Sequence, residues 1–291
     1  MYYDRSTAGH GKTMMARRIT TILPKVSFDE ALEITKVHSI AGKIGSNIII
    51  NERPFRSPHH TISTSGLIGG GRVAKPGEIS LAHCGVLFLD ELPEFRKNVI
   101  EILRGPLEDR EVTISRAYGS FSYPCNFMLI ASMNPCPCGY FGSNIKECIC
   151  TQKQINDYRS KISGPILDRI DIQIEVHNVK YEKLENIQVE KSESIRERVN
   201  RARIIQQKRY KGLNIYSNAE LTPKLIEKVC RLNEPSKIIL KKSFDKLKLS
   251  VRAYSRILKV ARTIADLEGK ENIETTHVIE AIQYRSLDKK C

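Results

Sequence analysis

The stretch that decides the fold reads Gly9-His10-Gly11-Lys12-Thr13, close to the start of a chain of 291 residues. Glycines let the backbone turn tightly enough for its N–H groups to face a phosphate. Lys12 would neutralise that phosphate, and the Thr13 hydroxyl would bind Mg²⁺. Apolar side chains recur at helical spacing through residues 13–23, so a helix would direct its positive end at the same group. The stretch predicts a P-loop nucleotide site, although Ser6 stands where the full motif has its first glycine.

A second decisive stretch is Val86-Leu87-Phe88-Leu89-Asp90-Glu91. Its four unbroken apolar residues predict a buried parallel strand. Of the two carboxylates that follow, Asp90 would hold the Mg²⁺ and Glu91 would polarise the attacking water. The pair alone would also suit the acidic start of a helix before Pro93. Its distance from the loop, roughly 80 residues, is typical of P-loop ATPases and favours the catalytic interpretation.

Asn134 follows another apolar run, residues 127–131, which predicts a second buried strand. A polar side chain just past that strand would hydrogen-bond the attacking water and the terminal phosphate of ATP. Without that context, an Asn before a proline is simply a turn former.

Hydrophobic periodicity predicts an α/β domain followed by an all-helical domain. Ser27 and Glu30 form a capping-box pattern for a helix over 28–37. The other elements expected in the first domain are a helix at 94–105, a β-hairpin at 112–123 and a strand at 170–176. Helices are expected at 192–210, 222–231, 236–247, 250–268 and 275–285. The predicted boundaries are 1–177 for the first domain, 178–191 for a linker and 192–291 for the helical domain.

The chain is strongly basic, with 47 Lys and Arg against 33 Asp and Glu and a net charge of +14. Residues 181–291 hold 25 of the basic and 15 of the acidic side chains, so most of the excess lies in the helical part. Such a surface suits either a phosphate backbone or water. No apolar run approaches the roughly 20 residues of a membrane span, and the N-terminus lacks the layout of a signal peptide. We therefore expect a cytoplasmic protein.

Four of the eight cysteines form two close pairs, Cys136 with Cys138 and Cys148 with Cys150. Four soft ligands of this kind could close on one tetrahedral zinc ion. The Cys-x-Cys spacing is tighter than the usual Cys-x₂-Cys, so a reduced, thiol-rich loop is the alternative.

The sequence resembles the magnesium-chelatase-like AAA+ ATPases, and most closely the competence-type group of ComM and YifB. The resemblance covers about residues 6–288. The motifs that carry it are Gly11–Arg18, Arg53–His60, Gly69–Gly71, Pro76–His83, Gly85–Glu91, Asn134–Gly139, Gly164–Asp171 and Val251–Leu267. It implies a P-loop AAA+ parallel-sheet domain followed by a helical lid.

The resemblance further implies a ring-forming, usually hexameric motor that uses ATP and Mg²⁺ and acts on single-stranded or branched DNA. Asn134 would be the sensor for the terminal phosphate, Arg169 the finger that reaches a neighbour's ATP, and Arg252 the sensor in the lid. From the sequence alone, Arg169 also suits a salt bridge with Asp168 or Asp171, and Arg252 also suits a helix surface.

Basic inserts would line the pore of such a ring, at residues 53–71 and in the hairpin near 112–123. The side chains expected to meet the DNA backbone are Arg53, Arg56, His59, His60 and Arg116. The two histidines also suit metal binding or packing.

We also expect an N-terminal truncation. A P-loop normally follows a buried strand of about five or six residues, and Met1–Arg5 contains Asp4 and Arg5, which suit no buried strand. The resemblance also implies a Lon-like domain before the ATPase. Three functions therefore stay open: a DNA-acting ATPase impaired by truncation, the ATPase of a magnesium chelatase, and a remnant that only binds nucleotide or DNA.

Overall fold

The computed structural model describes residues 12–45, 49–143, 146–176, 190–213 and 215–285, which form two compact units. The first unit takes in the described chain up to Thr20, Lys25–Ile166 and residues 175–176. The second takes in Thr21–Pro24, Leu167–Ile174 and residues 190–285. The predicted loss of the first strand, at residues 1–5, and most of the predicted linker at 178–191 lie outside the described residues.

The strands are β1 (Phe55–Arg56), β2 (Gly69–Gly70), β3 (Lys75–Pro76), β4 (Val86–Leu89), β5 (Glu111–Arg116), β6 (Gly119–Pro124) and β7 (Met128–Ala131). The first helices are α1 (Lys12–Ile22), α2 (Phe28–Ile40), α3 (Thr64–Ile68), α4 (Glu78–Leu81), α5 (Lys97–Glu101), α6 (Arg104–Asp109), α7 (Gln152–Arg159) and α8 (Gly164–Leu167). The later helices are α9 (Ser192–Arg209), α10 (Pro223–Val229), α11 (Glu234–Leu247), α12 (Val251–Leu267) and α13 (Thr275–Gln283). No helix among the described residues has both the length and the apolarity that a membrane crossing requires.

A parallel sheet in the order β1-β4-β7 forms the centre of the first unit. The middle strand, β4, is buried along its whole length, as its unbroken apolar sequence predicts. Gly85 lets β4 approach the chain before β1, because a Cβ there would lie 2.1 Å from the carbonyl oxygen of Pro54. β4 pairs with β7 up to Leu89 and Ala131, so the residues that follow the two strands emerge side by side.

Most predicted elements of the first unit are confirmed. The capping box of Ser27 and Glu30 starts α2, and β5 pairs with β6 in an antiparallel hairpin. The continuous helix predicted at 94–105 is wrong, because the chain forms a 3₁₀ turn at Leu92–Glu94 and then the separate helices α5 and α6. Pro106 accounts for the second break, since proline fits the first turn of a helix but not its interior.

The strand predicted at 170–176 is also wrong. In this segment only residue 174 has bridge character. The backbone N–H of Gln173 donates to the carbonyl oxygen of Tyr284 at 2.9 Å, and the carbonyl of Ile170 accepts from the Arg285 side chain. The end of α13 thus satisfies backbone groups that a neighbouring strand would otherwise pair.

The second unit is helical, and all five helices predicted for it are confirmed. Apolar side chains from α10, α11, α12 and α13 form one core, which includes Ile226, Leu240, Ile257, Ala261 and Val278. The only β pairing among the described residues from 190 onward is a bridge between Leu232 and Ile273. The α/β class with a following helical domain is therefore confirmed.

Candidate active site

One hydrogen bond joins the start of α1 to the segment after β7. Lys12, the first residue of α1, donates from Nζ to Asn134 Oδ1 at 2.7 Å. Both side chains are half-buried. Two residues that the sequence assigned to the same phosphate, although 122 positions apart, are thus brought within direct contact.

A second hydrogen bond joins α1 to the end of β4. Thr13 donates from Oγ1 to Asp90 Oδ2 at 2.8 Å. The other carboxylate oxygen of Asp90 accepts from the Ser132 hydroxyl and, at 3.1 Å, from the backbone N–H of Glu91. Both carboxylate oxygens are therefore fixed in direction. A hydroxyl and a carboxylate at this distance offer the hard oxygen ligands that Mg²⁺ takes in nucleotide sites, so the residues fit the ion that the sequence implies.

Glu91 has a backbone conformation that is rare for a residue with a side chain. Its φ is +53°, in the left-handed region, and its N–H also lies 3.3 Å from Ser132 Oγ. Strain of this kind concentrates at functional sites, where neighbouring groups hold it in place. The Glu91 side chain makes no capping hydrogen bond to the 3₁₀ turn that follows, so it does not serve as a helix cap. Its exposed carboxylate is available to polarise a water molecule.

Ser132 is the member of this group that sequence reasoning missed. It follows β7 directly, as Asp90 follows β4, and the pairing of Leu89 with Ala131 sets the two side by side. Strand register was the signal that would have found it. The loop residues Gly9, His10 and Gly11 lie outside the described residues, and their phosphate contacts stay a prediction.

The two arginines assigned from the family resemblance both lie in the second unit. Arg252 is exposed in the first turn of α12, whereas Arg169 is only 6% exposed. The acidic neighbours of Arg169 have other basic groups close by: Asp171 pairs with Arg256, and Asp168 lies 3.9 Å from Arg285. Contact of either arginine with ATP stays a prediction.

Two of the residues predicted to meet DNA make contacts within the first unit. Arg53 donates to both oxygens of Glu30 at 3.1 Å and to the carbonyl of Cys84 at 2.6 Å. Arg56 makes a two-point contact with Glu78, at 2.6 and 2.8 Å. Internal carboxylates thus partner both guanidinium groups, and contact of Arg53 or Arg56 with DNA stays a prediction.

The other predicted DNA contacts are accessible. His59 is exposed and lies beside Thr61 at 2.9 Å, while His60 is half-buried with its ring against His59 and Phe95. Arg116 is exposed near the tip of the β5–β6 hairpin. Beside the hairpin opens a groove of about 490 Å³, whose polar lining includes Ser63, Thr64, Ser65, Arg96, Asn98 and Arg116.

The structure also brings the four paired cysteines together. Their sulfur atoms all lie within 4.8 Å of one another, in Cys136, Cys138, Cys148 and Cys150. Burial acts to raise the pKa of Cys138, but backbone N–H groups of Tyr140 and Ile149 lower it to about 6. Burial raises the pKa of Cys148 and of Cys150, so these sulfurs differ in acidity.

A second thiol lies in a different kind of group, formed by Glu33, His83 and Cys84. His83 Nδ1 accepts the backbone N–H of Asn126 at 3.1 Å, so in the neutral ring the proton lies on Nε2, 2.9 Å from Glu33. Burial raises the pKa of Cys84 to about 12. Because both ring nitrogens of His83 already have partners, in Asn126 and Glu33, we interpret this group as structural.

Comparison with known proteins agrees with this geometry. The family model for magnesium chelatase subunit ChlI matches residues 5–184, and the model for the C-terminal part of ChlI matches residues 189–285. The competence protein ComM of Haemophilus influenzae is 45% identical over 281 residues, which are 96% of this chain and 54% of that protein.

Two further matches differ in identity and in the length they cover. The uncharacterized protein YifB of Escherichia coli is 41% identical over 283 residues, which are 97% of this chain and 55% of that protein. The magnesium-chelatase 38 kDa subunit of Rhodobacter capsulatus is 22% identical over 150 residues, which are 46% of this chain and 42% of the subunit. The chain thus spans about half the length of the curated relatives it matches.

Proposed function

Because the chain belongs to the magnesium-chelatase-like family of AAA+ ATPases, in the group that contains ComM and YifB, we propose that it hydrolyses ATP to remodel DNA. The proposed activity is of the branch-migration type and serves natural transformation or recombination in the cytoplasm. The observation that carries the ATPase part is the convergence of Lys12, Thr13, Asp90 and Asn134 at adjoining strand ends.

Each side chain of this group has a separate task in the proposed reaction. Lys12 binds the β- and γ-phosphates, while the Thr13 hydroxyl and Asp90 hold Mg²⁺. The ion would neutralise the charge that develops on the phosphates. Glu91 accepts a proton from the attacking water, and Asn134 orients that water against the terminal phosphate.

We propose that the chain works as a homo-oligomeric ring. In AAA+ ATPases a neighbouring subunit supplies an arginine finger, and Arg169 is our candidate for that role. Arg252, exposed at the start of α12, is our candidate for the lid sensor. Because Arg169 is buried in the described conformation, its role requires the segment around it to rearrange on assembly.

The tip of the β5–β6 hairpin supports DNA as the substrate. Tyr118 is 59% exposed and Phe121 38% exposed, with their ring centroids 6.0 Å apart, and Arg116 lies on the same hairpin. Exposed aromatic rings next to arginine bind single strands by stacking on bases and pairing with phosphates. The basic excess in residues 181–291 adds a second surface of the right sign.

The ATPase of a magnesium chelatase is the alternative, because the matching family model is named for that enzyme. The similarity to a chelatase subunit covers less than half of this chain, whereas the similarity to ComM covers 96%. We therefore favour DNA over a magnesium-chelatase subunit as the partner of the proposed ATPase.

Phosphate release by the purified chain tests the proposal. Turnover would be measured with Mg-ATP alone, with single-stranded DNA, with a four-way DNA junction, and with purified chelatase partner subunits. We expect DNA to stimulate turnover, and Lys12→Ala to abolish it while Lys36→Ala, at an exposed position on α2, leaves it unchanged. Stimulation by chelatase subunits alone would favour the alternative, and nucleotide binding without turnover would identify a binding remnant.

A further inference from the structure

Four sulfur atoms in the first unit lie as close together as the ligands of one metal ion. Cys136 Sγ is 3.4 Å from Cys138 Sγ and 3.7 Å from Cys148 Sγ, and Cys138 Sγ is 3.6 Å from Cys148 Sγ. Cys150 contributes the fourth sulfur, within 4.8 Å of the others.

These distances match a metal cage better than they match disulfides. A zinc–sulfur bond of about 2.3 Å places tetrahedral sulfurs about 3.8 Å apart, whereas a disulfide bond measures about 2.05 Å. The measured separations of 3.4–3.7 Å are close to the edges of such a tetrahedron. Only a small outward shift of the sulfurs is needed to admit the ion.

The backbone near the cluster also contacts one of its sulfurs. The N–H of Phe141 donates to Cys136 Sγ at 3.4 Å. Outer-shell hydrogen bonds of this kind orient metal ligands and balance their charge.

We propose that Cys136, Cys138, Cys148 and Cys150 bind one structural Zn²⁺ ion as a tetrathiolate site. All four positions of the ion are filled by protein, so the site leaves none for substrate. Zinc is favoured over magnesium or calcium because all four ligands are soft sulfurs.

The site has a consequence for the proposed ATPase, and this part rests on the proposed function. Cys136 is two residues beyond Asn134, and Arg159 donates to the intervening carbonyl of Pro135 at 3.2 Å. The same guanidinium lies 5.2 Å from the centre of the Phe141 ring. A zinc ion would therefore fix the loop that holds Asn134 against Lys12.

Metal analysis of the purified full chain tests the site without reference to activity. After expression in zinc-supplemented medium and purification under reducing conditions without chelator, we expect about one zinc ion per chain. Cobalt exchanged into the protein should give the visible absorption of a tetrahedral tetrathiolate complex. Wild-type protein that contains no zinc and takes up no cobalt would overturn the proposal, and iron in place of zinc would overturn the identity of the metal.

Cysteine variants locate the ion. Cys138→Ser and Cys148→Ser should lose the zinc, while Cys84→Ser, in the group with Glu33 and His83, should retain it. Zinc retained in both cluster variants would contradict the assignment. The wild-type stoichiometry and cobalt spectrum stay decisive even where a variant fails to fold.

A third readout separates this inference from the proposed function. Stripping the zinc should lower ATP turnover by about 10–100-fold, the size of effect seen when a group that orients a functional side chain is lost, because the loop that carries Asn134 would no longer be fixed. Bound zinc whose removal leaves turnover unchanged would overturn the link to Asn134 but not the site. Bound zinc in a chain that never hydrolyses ATP would instead count against the proposed ATPase.

Discussion

Asp90 shows at the scale of single residues how the site is held in place. Its two oxygens have different partners, Thr13 on one side and Ser132 on the other. The sequence predicted Asp90 and Thr13 because both belong to motifs with a known task. Ser132 belongs to no such motif, and a serine after an apolar run is common. Only the pairing of β4 with β7 places it beside Asp90.

Ser132→Ala is expected to weaken the use of Mg²⁺ without removing a metal ligand. The change deletes the hydroxyl that donates to Asp90 and accepts from the Glu91 N–H, so the Asp90 carboxylate loses part of its orientation and the Glu91 backbone loses one partner. We expect turnover to fall about 10–100-fold and half-maximal activity to need more Mg²⁺. Magnesium titrations of ATP turnover check this, with Ser160→Ala as the control on an exposed helix end. An unchanged Mg²⁺ requirement would contradict the role.

Asp266 is the centre of a hydrogen-bond network in the second unit. Its fully buried carboxylate accepts from Arg209 at 2.6 and 2.9 Å, from Asn218 at 2.8 Å and from Arg262 at 3.1 Å. Burial acts to raise the pKa of Asp266, but these hydrogen bonds and charges outweigh it and hold the pKa below its usual value. Sequence reasoning missed this network, because Asp in a helix otherwise suggests a solvated face.

Asp266→Asn should therefore destabilise the protein by about 3–5 kcal/mol at neutral pH, since it leaves the buried Arg262 and the half-buried Arg209 without their partner. A lowered folded pKa means that the stabilisation is complete above the unfolded pKa of roughly 4 and is lost as the pH falls through the folded value. Denaturant unfolding at neutral and acidic pH should show that the difference in unfolding free energy between wild type and variant becomes smaller as the pH falls. Asp245→Asn, exposed on α11, serves as the control. A difference in unfolding free energy that does not depend on pH would contradict a stabilising role for the charged Asp266 carboxylate.

Among the elements, those with a complete local signal were predictable. β4 and α2 are examples, one marked by an unbroken apolar run and the other by its capping box. The failures have tertiary causes. The segment at 170–176 alternates like a strand, yet its backbone finds partners in Tyr284 and Arg285 more than 100 residues away. The ion pairs of Arg53 and Arg56 were not predicted either, because their carboxylate partners are distant in sequence.

The β5–β6 hairpin is the element on which the DNA proposal can be tested. Tyr118→Ala should weaken binding of labelled single-stranded DNA by about 1–3 kcal/mol, because one stacking platform is lost. Arg116→Ala should also weaken binding. The slope of log binding constant against log salt concentration should become shallower by about 0.7, which is the contribution of one phosphate contact on single-stranded DNA. Fluorescence anisotropy at several salt concentrations measures both effects, with Lys36→Ala as the control. Unchanged affinity in both variants would exclude the hairpin tip as a DNA contact.

For the whole molecule, the ring proposal predicts that two inactive variants rescue each other. Lys12→Ala lacks the phosphate ligand, and Arg169→Ala would lack the finger supplied to a neighbour. In co-expressed mixed rings about a quarter of the sites would combine an intact Lys12 with an intact neighbouring Arg169. We expect turnover near that fraction of wild type, measured on co-purified material. Activity no higher than the sum of the two separate variants would show that Arg169 does not act across subunits.

The most direct test of the account is Mg²⁺-dependent ATP turnover by wild type and Glu91→Gln, with ATP binding measured in parallel. Glutamine keeps the size of the side chain but cannot accept the proton of the attacking water. We predict turnover by wild type, and a variant that binds ATP equally well but hydrolyses it about 10²–10⁴-fold more slowly. Equal turnover by the two proteins, or no Mg²⁺-dependent turnover by wild type, would contradict the assignment of this site as a working ATPase.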